Sequence, residues 1–112
     1  MEIKKVVVIG SGTMGSGIAA HLCNADIPVT LLDLKTEISE KARERIHKSR
    51  PPLLIDNSKI NNIKVGNINE DFDTVKDADW IVEAVVERID IKHDIYSKIF
   101  KNRKDGAIVS SN

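Results

Sequence analysis

An α/β fold, three layers deep around a parallel sheet, is what this sequence predicts, and three observations carry the prediction. Short β-branched runs alternate with amphipathic helical stretches along the whole chain. The first run, Lys4-Lys5-Val6-Val7-Val8-Ile9, feeds directly into Gly10-Ser11-Gly12-Thr13-Met14-Gly15. The second run ends on Asp33, 18 residues past Gly15. A strand, a GxGxxG turn, a helix and an acid closing the next strand together make the dinucleotide-binding fingerprint. Glycines alone also punctuate ordinary turns, so the specificity lies in this context.

The first strand is expected over 4–9 and the first helix over 13–25. Gly10 lets the chain turn sharply off the strand, Gly12 lets the backbone approach a pyrophosphate, and Gly15 lets the helix pack tightly on the sheet. Met14, Ile18, Leu22 and Ala25 recur at helical spacing, so this stripe is expected to face the sheet. Gly17, one turn into the helix, is expected to pack against the first strand. Cys23 is the only cysteine and is expected to fill core.

Pro28 stands at the entrance to a second strand, Val29-Thr30-Leu31-Leu32, where a missing amide is tolerable. The second helix is expected over 36–48, with Thr36 as N-cap and Ile38, Ala42 and Ile46 as its apolar row. Lys41, Arg43, Glu44, Arg45 and Lys48 read as a solvated face. Pro51-Pro52 ends that helix, because neither residue can continue it. Residues 50–61 then form a loop or short helical turn, with Leu53, Leu54 and Ile55 tucked onto the body. A short third strand is expected over 62–66, followed by a polar, turn-rich stretch over 67–79.

Trp80-Ile81-Val82-Glu83-Ala84-Val85 reads as a strand covered on both faces. Glu83, near its end, needs a hydrogen-bond donor to be tolerated there. A helix over 89–102 places Ile91, Ile95 and Ile99, with Tyr96 and Phe100, on its inner side, and 107–110 form the fifth strand. Right-handed crossovers would arrange these strands as 3-2-1-4-5, a Rossmann-type doubly wound parallel sheet truncated after the fifth strand. Gly10–Gly15 and 84–88 then line one crevice at the carboxyl ends of the first and fourth strands. Within it, Glu87 and Lys92 read either as a surface pair or as an acceptor and a donor for the nicotinamide-side ribose.

Lys plus Arg equals Asp plus Glu at 17 each, so neither nucleic acid nor an anionic membrane is an expected partner. The longest apolar stretch is far short of a spanning helix. The chain enters a strand at once, so no secretory signal is expected. With a single cysteine, a reducing, cytoplasmic setting is expected. A length of 112 residues suits one domain and is small for a whole dinucleotide-dependent enzyme.

The residues from Val8 to Ala19, the segment Asp79-Trp80-Ile81-Val82-Glu83-Ala84-Val85 with Glu87 and Lys92 after it, and Ser110-Ser111-Asn112 resemble the N-terminal NAD-binding domain of the 3-hydroxyacyl-CoA dehydrogenase family. The resemblance covers essentially the whole chain and is weakest over 49–75. There the Pro51-Pro52 loop is similar to that of larger multidomain members carrying an enoyl-CoA hydratase unit. The resemblance implies NAD as cofactor, Asp33 on the adenosine ribose, Glu87 and Lys92 beside the nicotinamide end, and oxidation of an L-3-hydroxyacyl-CoA to the 3-ketoacyl-CoA in fatty-acid β-oxidation. It also implies that the catalytic histidine and its orienting glutamate lie beyond the fifth strand, in a C-terminal substrate domain absent from this chain. The family's Ser-Asn-Thr-Ser segment begins at Ser111-Asn112. None of His21, His47 and His93 lies on a strand-end loop, so no catalytic residue and no metal ligand is assigned here.

The cofactor-contact set expected is therefore Gly10, Gly12, Thr13, Met14, Gly15, Asp33, Ala84, Val85, Glu87, Lys92 and Asn112. The acyl-CoA substrate would be met through the missing C-terminal part. The unpaired edge of the fifth strand makes a homo-oligomer an expectation. Two other readings stay open: a stand-alone NAD-sensing module without catalysis, and the nucleotide domain of another β-hydroxyacid dehydrogenase.

Overall fold

The computed structural model describes residues 3–49, 53–85 and 89–111, with residues 57, 89–92 and 111 described by their backbone alone. Strands β1 (Val6–Ile9), β2 (Val29–Asp33), β3 (Ile63–Asn67), β4 (Trp80–Glu83) and β5 (Ile108–Ser111) form one sheet in the order β3-β2-β1-β4-β5. All neighbours are parallel, as the alternation of elements predicts. Helices α1 (Thr13–Asn24) and α2 (Thr36–Lys48) cover one face, and α3 (Ile89–Asn102) covers the other. Two 3₁₀ segments, Asn57–Asn62 and Phe72–Asp77, fill the remaining connections.

The period of two along a strand explains why β1 is apolar throughout. Val6 and Val8 join Ala19, Cys23, Leu31 and Ile46 in the core under α1 and α2. Val7 and Ile9 join Leu32, Phe72, Val75, Ile81, Ile95 and Ile99 in the core under α3. Phe72 and Val75 come from the stretch read as merely polar and turn-rich; a 3₁₀ turn brings both inward.

Helix α1 is rotated from the expected stripe. Its buried residues are Gly15, Ser16, Ala19, Ala20, Leu22 and Cys23, while Met14 is 58% exposed and Ala25 lies outside as the cap. Small residues let the helix axis approach the sheet closely, and the bulkier Met14 and Ile18 are displaced to its flank. Gly17 does not pack on β1: it is exposed, and a Cβ there would meet nothing within 4 Å. The helix ends in a Schellman motif. Asp26 adopts φ 61°, its N–H donates to the Cys23 carbonyl, and the Ile27 N–H donates to the Leu22 carbonyl. Cys23 is fully buried, and burial pushes its thiol pKa up.

In α2, Ser39 replaces Ile38 in the buried row with Ala42 and Ile46, because its hydroxyl donates to the Gly66 carbonyl at 2.8 Å; Ile38 is 40% exposed. Thr36 is the first helical residue rather than the cap, which is Lys35, and its Oγ1 accepts from the Asn67 side chain. Arg43, read as solvated, donates to the Ile60 and Ile63 carbonyls and ties the 3₁₀ turn to α2. Of Leu53, Leu54 and Ile55 only Leu54 is buried. The Asn24 side chain bridges the Leu53 carbonyl and the Ile55 N–H, which fixes the loop backbone with the two flanking side chains outward. Pro51-Pro52 lie outside the described residues.

On α3, Ile95 and Ile99 are buried as expected, whereas Phe100 lies outside, stacked on Tyr96 with the Arg103 guanidinium over its ring. At the amino edge of the sheet, Asp79 accepts from the Lys4 and Lys5 backbone N–H groups and pairs with Lys104, so one carboxylate joins the approaches to β1, β4 and β5.

Candidate functional site

The crevice forms where the sheet order reverses, between the carboxyl ends of β1 and β4. Ile9 and Glu83 are in register, and the Ala84 N–H donates to the Ile9 carbonyl at 2.7 Å. Gly10 follows at φ +105°, with a Cβ position only 2.6–2.8 Å from the backbone of Ala84 and Val85. Glycine is required there on both counts. The sequence expectation that the glycine turn and the segment after β4 meet is thus met at Gly10, Ala84 and Val85. Glu83 is fully buried, and its Oε2 accepts from the Val85 N–H at 2.5 Å, which satisfies the buried carboxylate and shapes that turn. β4 therefore ends at Glu83, two residues sooner than expected.

Gly15 faces inward, and a Cβ on it would lie 1.8 Å from the Gly10 carbonyl oxygen. Gly12 is different. Its φ −70° and ψ −165° suit any residue, and a Cβ would meet nothing within 4 Å. Neither backbone conformation nor internal packing explains a glycine at that point. The open space there leaves room for a ligand against the main chain. Gly12 also caps α1 without a side-chain bond, so the N–H groups of Thr13, Met14 and Gly15 lack intrahelical acceptors and carry the positive end of the helix dipole. A pyrophosphate is the chemical partner of such a cradle, and the residues present fit a dinucleotide.

Asp33 closes β2 beside this turn. Its Oδ2 accepts from both the Ser11 N–H (2.8 Å) and the Ser11 hydroxyl (2.5 Å), and its Oδ1 accepts from the Leu34 N–H (2.7 Å). The carboxylate is half-buried and fixed in orientation. Ser11 itself is 1% exposed, and its carbonyl accepts from the Ser16 hydroxyl and from Arg45 Nη2. Sequence reasoning missed the role of Ser11; Arg45, assigned to a solvated face, is exposed as expected, and its guanidinium reaches the Ser11 carbonyl. The register that sets Ile9 opposite Leu32 puts Gly10 level with Asp33, and Ser11 reaches the carboxylate only through the geometry of the turn.

Thr13 and Met14 are exposed at the mouth of the turn. Glu87 and Asn112 lie outside the described residues, and Lys92 is described only as backbone in the first turn of α3. His21, His47 and His93 are exposed on helices. Among the described residues no group of three His, Cys, Asp or Glu side chains could hold a metal ion, and no helix is long and apolar enough to cross a membrane.

Residues 5–112 match the family described as 3-hydroxyacyl-CoA dehydrogenase, NAD binding domain. The chain is 44% identical over 119 residues to a probable 3-hydroxyacyl-CoA dehydrogenase of Deinococcus radiodurans, covering 100% of this chain and 34% of that protein. It is 44% identical over 118 residues to a putative fatty acid oxidation complex trifunctional enzyme of Rickettsia felis, covering 99% of this chain and 16% of that protein. The chain thus spans about a third of one curated relative and about a sixth of the other. Its fold superimposes on the crystal structure of 3-hydroxybutyryl-CoA dehydrogenase from Escherichia coli with a TM-score of 0.84, at 24% identity, covering 100% of this chain and 25% of that one.

Proposed function

The chain belongs to the 3-hydroxyacyl-CoA dehydrogenase NAD-binding domain family, and we propose that it is the cofactor-holding part of an NAD-dependent L-3-hydroxyacyl-CoA dehydrogenase acting in fatty-acid β-oxidation. The observation that carries this reading is the pairing of open space over Gly12 with a fixed carboxylate at Asp33. Gly12 and the first-turn amides receive the pyrophosphate. Asp33 accepts from the adenosine ribose, and Ala84 and Val85 line the far side of the crevice. Glu87 and Lys92 are assigned to the nicotinamide-side ribose, and Asn112 to the cofactor-contact set.

NAD, when bound, supplies the hydride acceptor for the C3–H of the hydroxyacyl thioester. The chain's own contribution is to orient that acceptor and to offer one wall of the reaction space. General-base removal of the hydroxyl proton contributes typically about 10²- to 10⁴-fold, and orientation of the second reactant supplies a further large share. We assign both to polypeptide beyond these residues, in a substrate domain that meets the acyl-CoA. A cytoplasmic setting is part of this proposal, and the single, buried Cys23 is compatible with it.

The test is steady-state reduction of acetoacetyl-CoA with NADH. The purified 112-residue chain binds the dinucleotide and gives no turnover. Turnover by this chain, with contamination excluded, would show that the base lies within it.

A further inference from the structure

Ser11 occupies the variable position between the first two glycines of the turn, where a dinucleotide site needs no particular side chain. Here it is pinned from several directions. Its N–H and hydroxyl both donate to one oxygen of Asp33, at 2.8 and 2.5 Å. Its carbonyl accepts from the Ser16 hydroxyl on α1 at 2.8 Å and from Arg45 Nη2 on α2 at 3.2 Å. At 1% exposure the side chain has no surface of its own to offer a ligand. One residue thus links the glycine turn, α1, α2 and the end of β2.

We propose that Ser11 is the positioning residue for ribose recognition: its hydroxyl holds the Asp33 carboxylate at the angle from which it accepts from the adenosine 2′- and 3′-hydroxyls. The proposal rests on the assignment of Asp33 to the adenosine ribose. Without the hydroxyl, the carboxylate would keep only the Ser11 and Leu34 backbone N–H groups, a looser hold on a side chain whose terminal torsion is broad. Two donors from Ser11 on Oδ2, added to the Leu34 N–H on Oδ1, leave it one orientation. Donation from a hydroxyl to a carboxylate is among the stronger neutral-to-charged contacts, so its removal is measurable.

The test compares ADP with 2′,3′-dideoxy-ADP on the wild-type chain and on Ser11→Ala, by titration calorimetry. Wild type binds ADP more tightly than the dideoxy compound. Ser11→Ala weakens ADP and NAD by about three- to tenfold, the scale of one typical intramolecular hydrogen bond, and leaves the dideoxy compound within about twofold by the same scale. Ser11→Cys, close in size but a weak donor, repeats the pattern and guards against a folding defect peculiar to alanine. Equal weakening of both ligands would mean that Ser11 merely supports the turn, and no weakening would mean that Asp33 is held without it; either result overturns the proposal. If wild type does not distinguish the two ligands, the assignment of Asp33 to the ribose falls, and this proposal falls with it.

Discussion

The Gly15 Cα faces the Gly10 carbonyl so closely that a Cβ would lie 1.8 Å from its oxygen. Both outer glycines of the motif are therefore required by internal packing, Gly15 against the Gly10 carbonyl and Gly10, at φ +105°, against the backbone of Ala84 and Val85. Gly12, between them, answers to nothing inside the protein.

That division predicts three outcomes. Gly15→Ala forces two backbones apart and should cost about 3 kcal/mol in thermal or urea unfolding, the upper range for overpacking. Gly17→Ala, at an exposed helical position, should stabilise the chain by up to about 1 kcal/mol. Gly12→Ala should leave the melting temperature near that of wild type while abolishing measurable NAD binding. Equal destabilisation by all three would contradict the assignment of separate roles.

The fold was legible because the strongest signals are periodic. Val6-Val7-Val8-Ile9 can only be a doubly covered strand, and its join to Gly10 sets the topology around it. The rotation of α1 was not legible, because counting apolar residues weights Met14 and Ile18, whereas close packing on a sheet selects Gly15, Ala19 and Ala20. Buried polar residues were hidden for a related reason. Ser39 and Arg43 look solvated in sequence, and only tertiary partners such as the Gly66 and Ile63 carbonyls bring them inward. At the site, Gly10, Gly15 and Asp33 were readable as a motif. Ser11 was not, because its role exists only once β1 and β2 lie side by side.

Acid stability should depend on Asp79. Hydrogen bonding from Lys104, then the Lys4 and Lys5 N–H groups, hold its carboxyl down at about 2, against an ordinary 3.8. A folded value below the unfolded one means that the stabilisation is complete above the unfolded value and lost as pH falls through the folded one. The melting temperature of wild type should therefore drop between about pH 4 and pH 2. Asp79→Asn should melt lower at neutral pH and lose the part of that acid dependence due to this group. Parallel pH profiles for the two proteins would contradict this.

Lys92→Ala should weaken NAD yet leave ADP nearly unchanged, since ADP lacks the nicotinamide half. An interaction of this kind is worth about tenfold when the donor meets its partner away from bulk water. Calorimetric titration with both ligands reads it directly. Equal weakening of the two, or none, would mean that Lys92 is a solvated helix residue.

Cofactor choice tests the central claim most directly. Asp33 offers a fixed carboxylate to the ribose hydroxyls and would repel a 2′-phosphate. Titration of the purified chain with NAD and NADP, under identical buffer and salt, should show NAD binding and NADP at least about tenfold weaker, the cost of one uncompensated like-charge contact in a partly buried site. NADP binding as tightly as NAD, or neither binding at all, would contradict the account.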